Sequence, residues 1–264
     1  DGARLRGREA DDGFIDVVFA NGAGYYKGTM DSTLPQQALF NQAGENLVDV
    51  TNAIFGQTPY NGRAVKLRDV DYDGAIDIIL GTTWQAQSQL FMGDGSGNFD
   101  NTTAMSLPQG PLSVGDIEVG DVDNDGDLDI LLADWGADEE ADLGSGGVTK
   151  LWLQMGSPPQ FGDTGTGLFE TAMGNMPNVN VRWSWDLEFI DIDNDYDLDI
   201  VVSCFACANA SGFLFVNDGN GNFTNQTPGN YPQGQNALDV EPIDIDGDGI
   251  PEIVSGRQAW SVDW

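Results

Sequence analysis

The sequence predicts an all-β fold, a β-propeller of four-stranded antiparallel blades with about 4.5 blades present in 264 residues. Three observations carry this prediction. A nine-residue acidic motif recurs four times. Each copy joins a segment of alternating polarity to a short apolar run. Two of the units then continue into glycine-rich hairpin turns. Repeats of about 50 residues point to a radial or linear array of small sheets. The units run approximately 8–60, 61–110, 111–175, 180–230 and 235–264, read as one propeller domain or segment over 1–264.

The four motifs are Asp69–Asp77, Asp121–Asp129, Asp191–Asp199 and Asp244–Glu252, and a degenerate copy spans Arg8–Asp16. Their ninth positions fall at 16, 77, 129, 199 and 252, spaced by 61, 52, 70 and 53 residues. Before each full motif comes a period-two segment: Ala64–Arg68, Asp116–Gly120, Asp186–Ile190 and Ala237–Glu241. Alternation of this kind signals a half-buried strand. After the motif, Ile78–Leu80, Ile130–Leu132, Ile200–Val202 and Ile253–Val254 read as buried second strands. Third strands are expected at Gln89–Met92, Lys150–Leu153 and Phe213–Val216. The turns Gly93–Asn98 and Asn217–Asn222 then lead into fourth strands at Phe99 and Phe223, with Val48–Thr51 as the counterpart in the first unit.

Charge narrows the function. The chain has 43 acidic and 10 basic residues, no histidine, and a formal net charge of −33. Of the acids 34 are Asp and 9 Glu, and Asp favours turns where Glu favours helices. A nucleic-acid binder needs a basic footprint, which is missing. An anionic membrane surface would repel this chain. Without His, Ser-His-Asp and Cys-His catalysis and the usual imidazole metal sites are excluded. Disorder, the other common meaning of high charge, conflicts with 40% hydrophobic residues and 7 Trp.

The four motifs hold 17 of the 34 Asp and one Glu. Carboxylates at positions 1, 3, 5 and 9 of a tight loop can converge on one centre, the position-7 carbonyl can join them, and glycine at position 6 permits the turn. Such an all-oxygen nest suits a hard cation, Ca²⁺ before Mg²⁺. The competing reading is four solvated acidic turns, but without a cation carboxylates this close repel. An EF-hand is excluded, because position 12 is Leu80, Leu132, Val202 or Ser255 in place of a bidentate Glu.

These loops and their place between strands resemble the FG-GAP/VCBS-type repeats of the integrin alpha-subunit propeller and of many secreted bacterial proteins. The bacterial type is the nearer of the two, since the Phe-Gly and Gly-Ala-Pro signatures are not visible. The resemblance covers nearly the whole chain from about residue 8. It implies three to four Ca²⁺, held between the first two strands of each blade. The implied ligands of the first loop are Asp69, Asp71, Asp73, Ala75 through its carbonyl, and Asp77. In the second they are Asp121, Asp123, Asp125, Asp127 and Asp129. The third has Asp191, Asp193, Asp195, Asp197 and Asp199, and the fourth Asp244, Asp246, Asp248, Ile250 and Glu252. Four such ions would bring the charge from −33 to −25. Three departures stand out. Tyr196 replaces glycine at position 6 of the third loop, where a side chain should resist a left-handed backbone. The fourth loop ends in Glu252 behind Pro251. The degenerate copy has Arg8, Ala10, Asp12 and Asp16 at the ligand positions and is expected to hold no ion. Relatives of this type usually have seven blades, so the resemblance implies part of a larger ring, with a complete five-bladed ring as the alternative. The chain is expected to begin near the second strand of one blade and to end after the second or third strand of another.

Other features carry paired readings. Cys204 and Cys207 form either a local disulfide, in an oxidising compartment, or two buried thiols. Trp84, Trp135, Phe205 and Trp260 recur just after the second strand, where they either line a sugar- or partner-binding face or pack between blades. Trp183 and Trp185 share parity with Leu187 and Phe189 and are expected in the core. The acidic insertion Ala137–Asp142 reads as a loop. N-x-Ser/Thr sequons at Asn101, Asn209, Asn222 and Asn225 are compatible with export. The expected function is a non-catalytic, extracellular, calcium-stabilised module for adhesion, surface assembly or glycan recognition, with a protein or glycan partner and self-assembly as a further option. The alternatives are the propeller domain of a secreted polysaccharide-active enzyme and a subunit of a surface filament. For the enzyme, spare acids such as Asp134, Asp138 and Glu170 show no catalytic motif.

Overall fold

The computed structural model describes residues 2–5, 15–21, 36–58, 60–136, 146–155, 168–205, 207, 211–227 and 236–257. Arg8, Ala10, Asp12, Asn209, Trp260 and the insertion 137–142 lie outside the described residues. The fold is all-β, with two one-turn helices among the described residues. The chain divides into two compact units, Asp1–Val114 with Gln154–Glu170, and Gly115–Leu153 with Thr171–Trp264.

The first unit carries two four-stranded antiparallel sheets. One is β1 (Gly2–Leu5), β2 (Asp16–Phe19), β3 (Gln37–Gln42) and β4 (Asn46–Asp49), paired in sequence order. β1 takes the first-strand position beside β2, whereas the sequence places the start of the chain near a second strand. The reason is that the degenerate copy at Arg8–Asp16 lacks the complete acidic motif that marks the passage from first to second strand elsewhere. The other sheet is β5 (Gly62–Arg68), β6 (Asp77–Thr82), β7 (Gln89–Gly93) and β8 (Phe99–Asn101). β6 is buried along its whole length, which is why Asp77-Ile-Ile-Leu-Gly-Thr82 is nearly all apolar and does not alternate. β8 is short and mostly exposed, as suits an edge. Val18, Ala38, Val65, Leu67, Ile78, Leu80 and Phe91 form this unit's core, closed by Ile54 of helix α1 (Thr51–Ile54) and Phe55.

β9 (Val114–Gly120), β10 (Asp129–Asp134), β11 (Lys150–Gln154) and β12 (Phe169–Thr171) form a sheet ordered β12-β11-β10-β9, whose residues 115–153 belong to the second unit. β13 (Leu187–Ile190), β14 (Asp199–Ser203), β15 (Gly212–Asn217) and β16 (Phe223–Asn225) form the next, antiparallel throughout. β17 (Ala237–Ile243) and β18 (Glu252–Arg257) make a two-stranded antiparallel sheet among the described residues. Leu131, Leu151, Val181, Leu187, Ile200, Val202 and Phe215 lead the core of this unit, and a smaller cluster of Ile190, Val201 and Val240 joins β13 and β14 to β17.

Two polar devices recur and explain local sequence. After the fourth strand, a threonine hydroxyl accepts from a third-strand N–H: Thr51 from Ala38 (3.0 Å), Thr103 from Leu90 (2.9 Å) and Thr227 from Leu214 (3.0 Å). Two residues earlier, Asp49, Asn101 or Asn225 accepts from that threonine's own N–H. The sequons at Asn101 and Asn225 are thus copies of an Asx turn that fastens the outer strand. Asn222 belongs to the second device, a hairpin turn in which Asp218 accepts from the N–H groups of Asn220 and Asn222, as Asp94 does from Ser96 and Asn98. Those donors hold the Asp94 and Asp218 carboxyls below the ordinary range, through the Asn98 side chain and the Asn220 N–H first.

Candidate metal centres

Each acidic loop connects the first strand of a sheet to its second, and the four share one backbone plan. Positions 4 and 6 are left-handed in every copy: Tyr72 (φ 57°) and Gly74 (92°), Asn124 (61°) and Gly126 (97°), Asn194 (63°) and Tyr196 (74°), Gly247 (80°) and Gly249 (88°). Asn and Gly tolerate this region, and Tyr does so at a cost. Tyr196 adopts it despite the expectation of resistance, with its ring 85% exposed and therefore unopposed by packing. The requirement at position 4 escapes a reading based on carboxylate spacing; its signal is the Asn-or-Gly choice in three of four copies.

The acids hold this backbone. The position-1 carboxylate reaches across the loop to the N–H of position 6: Asp69 to Gly74 (2.9 Å), Asp121 to Gly126 (3.0 Å), Asp191 to Tyr196 (3.1 Å), Asp244 to Gly249 (3.0 Å). The position-5 carboxylate accepts from position 7, at Ala75, Asp127, Asp197 and Ile250. Position 9 accepts from the N–H of position 2: Asp77 from Val70 (2.8 Å), Asp129 from Val122 (3.0 Å), Asp199 from Ile192 (3.0 Å) and Glu252 from Ile245 (2.8 Å). The longer Glu252 makes the same bond as its shorter counterparts.

Position 9 also ties the loop to the third strand. The second oxygen of Asp77 accepts from Gly93 (2.9 Å) and that of Asp199 from Asn217 (2.8 Å). Asp16 keeps this role in the degenerate copy, accepting from Asn41 at 2.7 Å. A side chain at Gly93 would strike the Ile76 carbonyl, so glycine is needed for the strand to come this close.

Carboxylate oxygens of Asp69, Asp71 and Asp77 lie within 4.8 Å of one another, as do those of Asp121, Asp123 and Asp129, and of Asp191, Asp193 and Asp199. In the fourth loop the gathered trio is Asp244, Asp246 and Asp248, all exposed, and Glu252 stands outside it. Asp73, Asp125 and Asp195 stand outside the first three trios, turned to the N–H of position 7. Burial pushes the Asp77 carboxyl up to about 7 and that of Asp199 to about 6, against the N–H groups that favour the anion. Asp71, Asp123, Asp127 and Asp193 are raised as well, by desolvation first and by neighbouring carboxylates after it.

These residues fit a hard cation. The donors are all oxygen, three carboxylates converge per loop, and their mutual repulsion is what a divalent ion relieves. Two further oxygens, Asp69 Oδ1 and Asp127 Oδ2, are buried and have no hydrogen-bond partner among the described residues. Buried carboxylate oxygens are seldom left so, and a cation would supply the missing partner.

A further acidic trio was not legible in the sequence. Asp116 and Glu118 of β9 and Glu188 of β13 bring oxygens within 4.8 Å of one another. Asp186, which accepts from Val240 N–H at 2.7 Å, is raised to about 8 by burial and by Asp116, Glu188 and Asp239. These acids alternate along first strands, so each looked like an ordinary solvent-facing position.

Cys204 and Cys207 are joined as a disulfide with Cα atoms 5.9 Å apart. Trp135 and Phe205, each 7% exposed, belong to a ring cluster with Trp183 and Trp185. Trp135 meets Trp185 edge-on at 4.7 Å, and Phe205 stacks on Trp183 at 5.7 Å. Trp84 is partly buried in the other unit. The parity argument for Trp183 and Trp185 does not hold, because β13 starts only at Leu187 and Trp183 is left-handed at φ 48°; both rings are partly buried. Asp134 forms an ion pair with Lys150 at 3.6 Å.

Residues 69–132 and 203–255 match the family model of the FG-GAP-like repeat. A search of curated proteins finds no match to the chain. The matched stretches contain the first, second and fourth acidic loops. The third, between them, repeats the same left-handed positions and the same hydrogen bonds. Motif spacing, loop geometry and family match agree that residues 69–132 and 203–255 carry FG-GAP-type repeats.

Proposed function

We propose that the chain is an extracellular, calcium-stabilised β-propeller module that serves binding, adhesion or surface assembly without catalysis. The observation that carries this reading is the threefold convergence of carboxylates, at Asp69/Asp71/Asp77, Asp121/Asp123/Asp129 and Asp191/Asp193/Asp199, on loops that join the first two strands of their sheets. Those residues hold one Ca²⁺ per loop, and the exposed trio Asp244/Asp246/Asp248 holds a fourth more weakly. The ion's chemistry here is charge compensation; the protein's part is to fix the loop so that the first strand, the second strand and, through position 9, the third strand are joined. An exterior setting supplies the calcium and suits the Cys204–Cys207 disulfide. The remaining negative charge suits solubility in a salty medium and disfavours anionic partners.

Chelation tests this. At free calcium about 100-fold above Kd, each site adds about 2.7 kcal/mol. Three sites correspond to a fall in melting temperature of about 15 °C or more on adding EDTA. Thermal melts with calcium, with EDTA and with calcium restored measure it. A melt unchanged by EDTA, or restored equally by magnesium, defeats the calcium reading.

A further inference from the structure

The second and third acidic loops belong to the same unit, and they are joined by an unbroken run of hydrogen bonds through one residue, Asn217, at the end of β15. Its side-chain amide donates to the carbonyl of Val122, position 2 of the second loop, at 2.7 Å, and to that of Leu198 at 3.2 Å. Its backbone N–H donates to Asp199, the position-9 acid of the third loop. On the far side, Val122 N–H is held by Asp129, the position-9 acid of the second loop, and Asp199 in turn holds Ile192. The run therefore passes from Asp129 to Val122, Asn217, Asp199 and Ile192, joining the deepest acid of one trio to that of the other.

A second bridge runs beside it. Asn124, the left-handed position 4 of the second loop, donates its amide to Asp197 of the third loop at 2.9 Å and to the carbonyl of Gly219 at 3.2 Å. The hairpin turn after Asn217 fills the space between the loops. A Cβ at Gly219 would collide with the Asp197 carboxylate, and one at Gly221 would lie 3.1 Å from the Cβ of Asp123, a member of the second trio. The turn is fixed by the loops on both sides of it.

The first loop differs at the matching position. The residue matching Asn217 there is Gly93, which gives the same N–H to Asp77 and has no side chain with which to reach another loop.

We propose that the loops 121–129 and 191–199 take up calcium cooperatively, with Asn217 and Asn124 as the positioning residues that couple them. The proposal rests on the calcium reading above and adds its regulation. An ion in either loop fixes the shared turn and the Asn217 amide, so the second ion meets a loop that has already lost part of its conformational freedom. Coupling of this kind is reciprocal: each site raises the other's affinity by the same factor.

The test is calorimetric titration of Ca²⁺ into the full chain carrying Asp71→Asn and Asp246→Asn, so that the second and third loops remain. Asp193→Asn should then weaken the second loop by about 5-fold or more, and Asp123→Asn should weaken the third by the same factor. In Asn217→Gly, which copies the residue found at Gly93, or in Asn124→Gly, which keeps the left-handed backbone, the same substitutions should leave the remaining loop's affinity unchanged. Asn124 is exposed, so its variant keeps the test valid if Asn217→Gly folds poorly. A purely structural role would weaken both loops without removing their mutual effect. One ion per loop, each indifferent to the other, overturns the coupling and leaves the calcium reading intact. A 5-fold effect that survives both glycine variants overturns the route through these residues. Absence of any calcium uptake by the two loops defeats the underlying reading, and the coupling with it.

Discussion

The sheet β5–β8 and the sheet β17–β18 begin from the same motif and end in different surroundings. In the first, Ile78, Ile79 and Leu80 are fully buried and Asp77 is 0% exposed. In the second, Ile245 is 66% and Val254 45% exposed, and the acidic loop is open to solvent from Asp244 to Ile250. Yet both loops have the same bonds from position 1 to position 6, from position 5 to position 7 and from position 9 to position 2. The loop's shape is thus local and survives exposure. In the buried loop the position-9 acid also holds the third strand, is raised by desolvation, and joins the gathered trio.

Substitutions can break this comparison. The largest effect is expected at position 9. Asp77→Ala orphans the N–H groups of Val70 and Gly93 inside the sheet and should cost about 3 kcal/mol in urea unfolding with calcium present. Glu252→Ala orphans, among the described residues, the N–H of Ile245 at the surface and should cost about 1 kcal/mol or less. Equal losses would mean that the loop alone, and not its burial, sets the contribution of position 9.

Ion stoichiometry comes next. Asp71→Asn should remove one tightly bound calcium, whereas Asp246→Asn should remove only the weakest. An equal change in titration for both would erase the distinction between the two loops.

The pH response follows in size. Asp77 at about 7 and Asp199 at about 6 lie above the ordinary carboxylate value of 3.8 that applies when unfolded. The folded, metal-free chain therefore binds more protons than the unfolded chain between these values. Its stability from these groups is full below about pH 4 and is lost as pH rises through 6 to 7. In EDTA, melting temperature should fall over that interval, and Asp77→Asn with Asp199→Asn should flatten the fall. Saturating calcium should abolish or reverse it, because the ion favours the anion.

The smallest effect is at Tyr196. Glycine there relieves a left-handed residue that makes no compensating burial, and Tyr196→Gly should gain about 1 kcal/mol. Loss of stability instead would show that the exposed ring contributes at the loop rim.

How much was legible varies with the range of the interaction. The strand order inside the sheets β5–β8 and β13–β16 followed from alternation and turn residues, whereas β1 and β12 did not, and the loop acids at positions 1, 3, 5 and 9 followed from spacing. The trio of Asp116, Glu118 and Glu188 did not, since it needs two first strands side by side. The ring cluster was half legible: aromatic recurrence located Trp135 and Phe205, but parity misread Trp183 and Trp185, which both precede β13. The Asx turns at Asn101 and Asn225 looked like sequons because an Asn two residues before a Thr serves both patterns.

By itself the sequence determined the four loops, because their geometry closes within nine residues: the donors are the loop's own N–H groups, and Gly or Asn occupies six of the eight left-handed positions. Tertiary structure alone decided which acids became buried and raised, which third-strand residue position 9 would hold, and that Asn217 would join two loops far apart in the chain. Those outcomes depend on which strand lies beside which, and a carboxylate or an amide carries no mark in the sequence of the neighbour that will desolvate it.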